Sequence, residues 1–355
     1  MSAVIMDCDL MRFPNSGLYF YCVNLMECIN EELQQQGREL MHVYLPPYEK
    51  CPLPPESYYI REKKYHKFWK PFMRDCRVWH APFQSGRIFP DKRKHKDTKI
   101  VLTVHDLNVL HEGKGAEEQK KSLAHTQSLI DKSDTVICIS QFAMEDVIKN
   151  CDVSGKDILF IHNGANKIHE PRLAPASYKP KRPFLFGIGY VNRKKNYLVL
   201  LPLLLQNPEM EMIISGRLDE PDYVNLIRKE AERLNVADRL TITGPINEQE
   251  KAWYISNCTA FLHPSLAEGF GATVIEAMSF GKPVFLSRRT SLPEIGGEEA
   301  YYFDTFDVEA MNSVFRQGMH IMETTDMKDR LLARAAKFCW KDSAKKYIAV
   351  YDKYL

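Results

Sequence analysis

Short runs of apolar, often β-branched residues recur along the whole chain, and longer segments with helical periodicity lie between them. In the first half the runs are AVIMDCD, LMHVYLP, CRVWHAP, KIVLTVHD, DTVICIS and DILFIHN, and the segments between them include YFYCVNLMECINEELQQQG, AEEQKKSLAHTQSLIDKS and QFAMEDVIKNC. In the second half FLFGIGY, EMIISG, LTITG, TAFLHPS and PVFLSRR alternate with NYLVLLPLLLQN, PDYVNLIRKEAERLN, NEQEKAWYISN and GATVIEAMSFG. Runs this short and this apolar are strands buried on both faces. Helices between consecutive strands make the sheet parallel and cover both of its sides.

The alternation breaks once. Residues 167–183 hold four prolines, several charges and no period, which is linker chemistry. At 355 residues the chain is also too long for one ordinary core. The expected fold class is α/β, with two Rossmann-like doubly wound domains facing a cleft. The first takes residues 1–170, a linker 171–183 and the second 184–335, while a C-terminal helix over 336–355 packs back on the first domain. Ligands of doubly wound sheets bind beyond the carboxyl ends of the strands, so chemistry is expected there.

Bulk properties narrow the function classes. The net charge of +2 argues nothing by itself, and nucleic acid is not among the expected partners. Nine cysteines are scattered without a CxxC pair, which reads as reduced thiols and not as a disulfide framework or zinc site. MSAVIMDCDLMRF lacks the pattern of a signal peptide, and no stretch reaches the ~18 apolar residues of a membrane span. A cytoplasmic protein, at most peripheral on the inner face of the cell membrane, is expected.

The strand TAFLHPS runs into LAEGFGATVIEAMSFGKPV. Gly269 and Gly271 open a helix whose free N–H groups and dipole suit an anion. Glu276 lies about five residues into that helix, roughly 7–8 Å along its axis at 1.5 Å per residue, which is about the span from a diphosphate to a ribose. Its carboxylate can accept from two vicinal hydroxyls, and Glu268, on the turn, from hydroxyls beyond the phosphates. The plainer alternative is a helix-surface charge and a solvated loop residue. In the same domain GIGYVNRKKNY follows the opening strand. Gly187 and Gly189 permit a tight turn, and Arg193, Lys194 and Lys195 place consecutive cations where they suit a diphosphate. A charge run standing alone is more often a solvated face. In the first domain His105 closes KIVLTVHD at a ligand-binding end, or merely hydrogen-bonds there. His80 either lines the cleft or packs. Turn chemistry accounts for Ser140 and Asn163, although Asn163 can also face the cleft.

Taken together, PSLAEGFGATVIEAMSFGKPV resembles the E-x7-E motif of the retaining GT-B glycosyltransferases of family 4, the group 1 family. VLTVHDLNVLH, DTVICISQFAMEDVI, ILFIHNGAN, GYVNRKKNYLVLL, MIISGRL, LTITGPINEQEKAWYISNCTAFLHPS, SLPEIGGEEAYYFD and WKDSAKKYIAVY follow in the order of that family, so the resemblance covers most of the chain. It implies that Glu276 holds the ribose and that Glu268 contacts the transferred sugar. It implies that the backbone of Gly269, Phe270, Gly271 and Ala272 lies against sugar and diphosphate. Lys195 would neutralise the diphosphate leaving group, helped by Lys194 or Arg193. Pro245 and Ile246 would lie beside the base, His105 would contact the 6-position of the sugar, and Gly17 would lie near the reaction centre. The chain departs from the family in two places. Tyr190 follows Gly189 where many members have Arg, and RFPNSGLYF has one glycine where many have two.

The function implied is a retaining, metal-independent transfer of a hexose, with mannose the first expectation, from a nucleotide-diphosphate sugar. The acceptor is a hydroxyl of a glycan or lipid-linked molecule in cell-surface polysaccharide or lipopolysaccharide assembly, and no cofactor is called for. The alternatives are a non-catalytic nucleotide-sugar-binding scaffold or sensor, or a GT-B epimerase. Separately, residues 61–99 carry thirteen Lys or Arg against four acids, with Phe68, Trp69 and Phe72 interleaved. That pattern suits an anionic membrane surface; a solvated basic face is the alternative.

Overall fold

The structure, a computed structural model, describes residues 3–13, 16–49, 55, 58–165 and 174–355. Cys51 and the first part of the expected linker, residues 171–173, lie outside the described residues. The chain divides into two compact units, Met1–Asn166 with Cys339–Leu355, and Lys167–Phe338.

Unit 1 contains β1 (Val4–Asp7), α1 (Gly17–Gln35), β2 (His42–Leu45), β3 (Tyr59–Arg61), β4 (Val78–Ala81), β5 (Lys99–Val104), α2 (Ala116–Ile130), β6 (Thr135–Cys138), α3 (Gln141–Asn150) and β7 (Asp157–Phe160). Its strands form one parallel sheet in the order β3-β2-β1-β4-β5-β6-β7. The order reverses between β1 and β4, so the loops leaving those strands diverge and open a crevice at their carboxyl ends. Strands β1, β2, β4 and β6 are buried throughout, with one polar residue in each, Asp7, His42, His80 and Thr135, among the apolar ones.

Unit 2 contains β8 (Phe184–Ile188), α4 (Leu201–Gln206), β9 (Glu211–Ser215), α5 (Pro221–Arg233), β10 (Leu240–Gly244), α6 (Glu248–Asn257), β11 (Ala260–His263), α7 (Ala272–Met278), β12 (Val284–Ser287), α8 (Leu292–Gly296), β13 (Tyr301–Phe303), α9 (Val308–Thr324) and α10 (Met327–Ala336). The parallel sheet has the order β10-β9-β8-β11-β12-β13. Here the reversal falls between β8 and β11. The chain emerges from β8 into the RKK run and from β11 into the EGFG loop, so the switch point makes these two segments neighbours.

The last helix, α11 (Trp340–Asp352), belongs to unit 1 and packs along α1. Its Tyr347 and Tyr351 are buried among polar partners. Tyr347 OH lies 2.8 Å from Tyr21 OH, and Tyr351 OH lies 2.8 Å from His80 Nδ1. A Cβ on Gly164 would stand 2.3 Å from the backbone nitrogen of Trp340, so only glycine lets the start of α11 approach.

Several elements differ from the sequence reading. NYLVLLPLLLQN is not one helix. A 3₁₀ turn over Tyr197–Leu200 precedes α4, with Pro202 in the first turn of α4, where its missing N–H costs nothing. Strands β3 and β13 and helices α8, α9 and α10 were not anticipated. Phe72 is not a surface residue: it is buried against Tyr44 and Trp79, with ring centroids 5.5 and 6.1 Å away.

Candidate functional site

The switch point of unit 2 gathers charged side chains that the sequence separates by about seventy positions. After β8, residues Arg193–Lys195 form one 3₁₀ turn. The Asn192 side chain caps it by accepting the Lys195 N–H at 3.1 Å. Three residues in such a turn point about 120° apart, so the run cannot act as one cationic patch. Lys195 turns inward and forms an ion pair with Glu268 Oε1. A Cβ on Gly189 would come within 3.0 Å of Lys195 Cε, so that glycine keeps the path of the lysine clear.

Glu268 is fixed from several sides. Its Oε1 also takes the Nε2–H of His263, the last residue of β11, at 2.9 Å. Its backbone N–H donates to Thr290 Oγ1 at 2.9 Å, and its carbonyl accepts from Ser291 Oγ at 2.9 Å. Thr290 sits at φ +47°, a conformation that a β-branched residue rarely adopts and that the surrounding structure must hold. Burial alone would push the Glu268 carboxyl up. The Lys195 ammonium and His263 overcome that and hold it well below the usual carboxylate range. Burial also lowers His263, against the pull of Glu268, so its ring is the neutral donor.

Glu276 is handled differently. Gly271, at φ +100°, caps α7, and Glu276 is the fifth residue of that seven-residue helix. It is 1% exposed, and its Oε1 accepts from Lys251 Nζ at 3.2 Å, while the same ammonium reaches Glu248 at 2.7 Å. The two glutamates therefore face separate cations. Between them, the Phe270 side chain turns into the core against Phe338, so only its backbone is available beside Gly269 and Ala272.

The remaining candidates are more dispersed. Arg193 pairs with Glu220 at 2.7 Å, away from Lys195. The Lys194 carbonyl accepts from the Leu266 N–H at 2.8 Å, which ties the RKK turn to the EGFG loop. Pro245 is exposed and Ile246 half-buried just after β10. Tyr190 does not leave its corner without a cation, because the Arg217 guanidinium lies over its ring at 4.2 Å.

In unit 1, His105 follows β5 and is 6% exposed. Its Nε2–H donates to the Pro82 carbonyl at 2.8 Å, which leaves Nδ1 as an acceptor. Burial lowers its pKa to about 4, so the ring is neutral. Tyr21 and Phe83 flank it at 4.6 and 5.2 Å. Gly17 is the exposed first residue of α1, with open space where a Cβ would go. His80 is fully buried, with both ring nitrogens engaged by Tyr351 and Thr103, so it packs. Ser140 caps α3 by accepting from Ala143 N–H. No carboxylate of the first half stands out in the sequence, yet Asp7 ends β1 at the same strand edge. Burial, with Asp9 beside it, raises the Asp7 carboxyl to about 7, and Asp9 itself is paired with Arg12 and Arg87.

Sequence reasoning missed His263, Lys251, Thr290, Ser291 and Arg217. His263 carried a usable signal, since it closes a buried strand as His105 does. The others lie in loops and helix faces that only the fold brings near the two glutamates.

Residues 173–334 match the family "Glycosyl transferases group 1", and residues 29–167 match "Glycosyltransferase Family 4". The serotype-specific mannosyltransferase WbdA of Escherichia coli is 27% identical over 265 residues, 69% of this chain but only 32% of WbdA. The O-antigen chain mannosyltransferase B of Escherichia coli is 25% identical over 276 residues, 72% of this chain and 71% of that protein. Sucrose-phosphate synthase from Thermosynechococcus elongatus superposes with a TM-score of 0.76 at 19% identity, over 99% of this chain and 98% of the other. HepE of Anabaena, solved with UDP and glucose, gives 0.74 at 16% identity, over 99% and 100%. At these identities the structural likeness shows the fold alone.

Proposed function

We propose a transfer reaction on one premise: the chain belongs to the group 1 glycosyltransferases. The reaction moves a hexose from a nucleotide-diphosphate sugar to a hydroxyl of a glycan or lipid-linked acceptor, on the cytoplasmic side, in cell-surface polysaccharide or lipopolysaccharide assembly. Mannose is the favoured sugar, because relatives along most of the chain carry the name mannosyltransferase. The observation that carries the reading is the buried Lys195–Glu268–His263 group at the switch point of unit 2, with Glu276 held apart from it by its own lysine.

In this reading Glu276 takes the ribose hydroxyls and Lys195 the diphosphate. The lysine is engaged by Glu268 before any donor arrives, so a diphosphate shares or takes over an ammonium already in place. The His263 N–H and Thr290 then keep Glu268 aimed at the hydroxyls of the sugar. Neutral His105 accepts from the 6-hydroxyl through Nδ1. Gly17, Pro245 and Ile246 border the ligand, and Lys194 assists Lys195 more than Arg193 does, because Arg193 is paired with Glu220.

Retention follows from substitution on one face. The bond from the anomeric carbon to the diphosphate oxygen breaks, and the acceptor oxygen bonds to the same face of that carbon. The acceptor proton passes to the departing phosphate oxygen, and Lys195 stabilises the charge that develops there. This route needs no protein nucleophile, and Asp7, with a pKa near 7, is only partly ionised at neutral pH. The test is incubation with a panel of nucleotide-sugars, with and without glycan acceptors, scoring nucleotide release and product. Acceptor-dependent release with the new bond in the configuration of the donor supports the reading. Tight binding without release favours a scaffold, and a changed donor sugar without acceptor favours an epimerase.

A further inference from the structure

The basic stretch over residues 61–99 is not one surface, because the fold sorts its cations. Arg87 bridges Asp9 and Glu62, Lys92 and Lys99 reach Asp134, and Arg93 pairs with Asp91. Arg61 and Arg77 donate to the carbonyls of Glu49 and Leu355. These side chains are spent on holding unit 1 together.

Of the seven left over, four converge, while Lys63, Lys64 and Lys67 lie outside their groove. Lys70, Arg74, Lys94 and Lys96 line one groove of about 660 Å³ formed by residues 68–76 and 94–98, and Asp97 is the single carboxylate in its lining. Among the described residues none of the four cations has a carboxylate within ion-pair distance. Partial burial and Lys94 nearby lower the pKa of Lys70 against the opposing pull of Asp91 and Asp7.

Large apolar side chains stand at its rim. Phe68 is 81% exposed, Trp69 65% and Tyr65 43%, and the Tyr65 and Trp69 rings lie 5.8 Å apart. Three such rings within five residues are an exposed patch that folding has not covered. Amphipathic aromatics beside flexible lysines match the boundary between acyl chains and anionic headgroups. The groove and His105 flank opposite ends of β5, roughly 20 Å apart at about 3.3 Å per residue. A surface bound at the groove leaves the His105 end of the sheet clear.

We propose that the groove lined by Lys70, Arg74, Lys94 and Lys96, with Phe68 and Trp69 at its rim, docks the protein onto an anionic phospholipid membrane. The lysines meet lipid phosphates and the aromatic rings enter the headgroup boundary. Docking through this groove is independent of the transfer reaction.

The experiment is co-sedimentation of the full chain with vesicles of phosphatidylcholine alone or mixed with phosphatidylglycerol, at low and high salt. Binding should require phosphatidylglycerol and weaken at least ~tenfold as salt shortens the screening length. The variant Lys94→Glu with Lys96→Glu should bind at least ~tenfold more weakly, at roughly fivefold per cation lost. Trp69→Ala should weaken binding and abolish most of the salt-resistant part. All three residues are exposed, and an unchanged melting temperature checks that the variants fold. No sedimentation at low salt, equal binding to phosphatidylcholine alone, or indifference to the charge reversals would overturn the proposal. Capture of an RNA homopolymer in preference to the vesicles would overturn it as well.

Discussion

Removing both members of the Lys195–Glu268 pair should cost far less than the two single breaks added together. The two side chains are 15% and 13% exposed, so most of the attraction escapes solvent screening. At an effective dielectric of ~20 and ~4 Å, opposite charges attract by about 4 kcal/mol. Desolvation consumes part of that, but truncating one partner strands the other. Lys195→Met leaves Glu268 with only the His263 N–H, on a loop pinned by Thr290 and Ser291, and should cost about 3 kcal/mol. Glu268→Gln strands a lysine that can swing toward water, at about 2 kcal/mol. The double variant removes both charges and should cost roughly 2 kcal/mol rather than 5, a coupling of about 3 kcal/mol. The two units need not unfold together, so the readout must belong to unit 2. Hydrogen exchange of the β8 and β11 amides across a urea series supplies it. Additivity within ~0.5 kcal/mol would refute the claim that these side chains act as a buried pair.

Two further substitutions probe unit 1. Burial and Asp9 keep Asp7 protonated up to about pH 7, whereas its ordinary value is 3.8, so the folded state loses stability as pH rises between those values and no further above them. Asp7→Asn keeps the acceptor for the Asp9 N–H and should gain up to ~4 kcal/mol over wild type at pH 8 but nothing near pH 4, measured by urea unfolding at both; an equal gain at both would exclude the charge as its cause. Gly164→Ala pushes a Cβ onto the Trp340 backbone and should cost roughly 2–3 kcal/mol, with faster proteolysis just before α11; unchanged proteolysis would mean that the close approach does not matter.

How much of this was legible depended on what set each feature. KIVLTV declares β5 because six consecutive residues suit a strand buried on both faces. YIR and YYF are only three residues long, too short for any period, and the sheet edge defines β3 and β13. In α9, Gly318 interrupts the apolar stripe. The fold shows why it is glycine: a Cβ there would meet Phe285 and Tyr301 at 2.7–2.8 Å. Glu268 and Glu276 were visible because glycines bracket the turn between them. Lys251 was not, since EQEKAWYISN reads as a solvated helix until α6 is set beside α7. Which cation of Arg193–Lys195 turns inward depends on the Asn192 cap, and spacing alone does not decide it.

The most direct test of the donor site is calorimetry with the bare nucleoside diphosphate of whichever donor the panel selects. Glu276→Gln should weaken its binding by at least ~tenfold, through loss of charge-assisted hydrogen bonds worth about 1.5–3 kcal/mol each. Glu268→Gln should leave that binding unchanged or tighten it, because the ligand carries no sugar and Lys195 is released toward the diphosphate. Its cost should appear in transfer rate instead. If Glu268→Gln weakens bare nucleotide binding as much as Glu276→Gln does, the division of labour between the two carboxylates is contradicted.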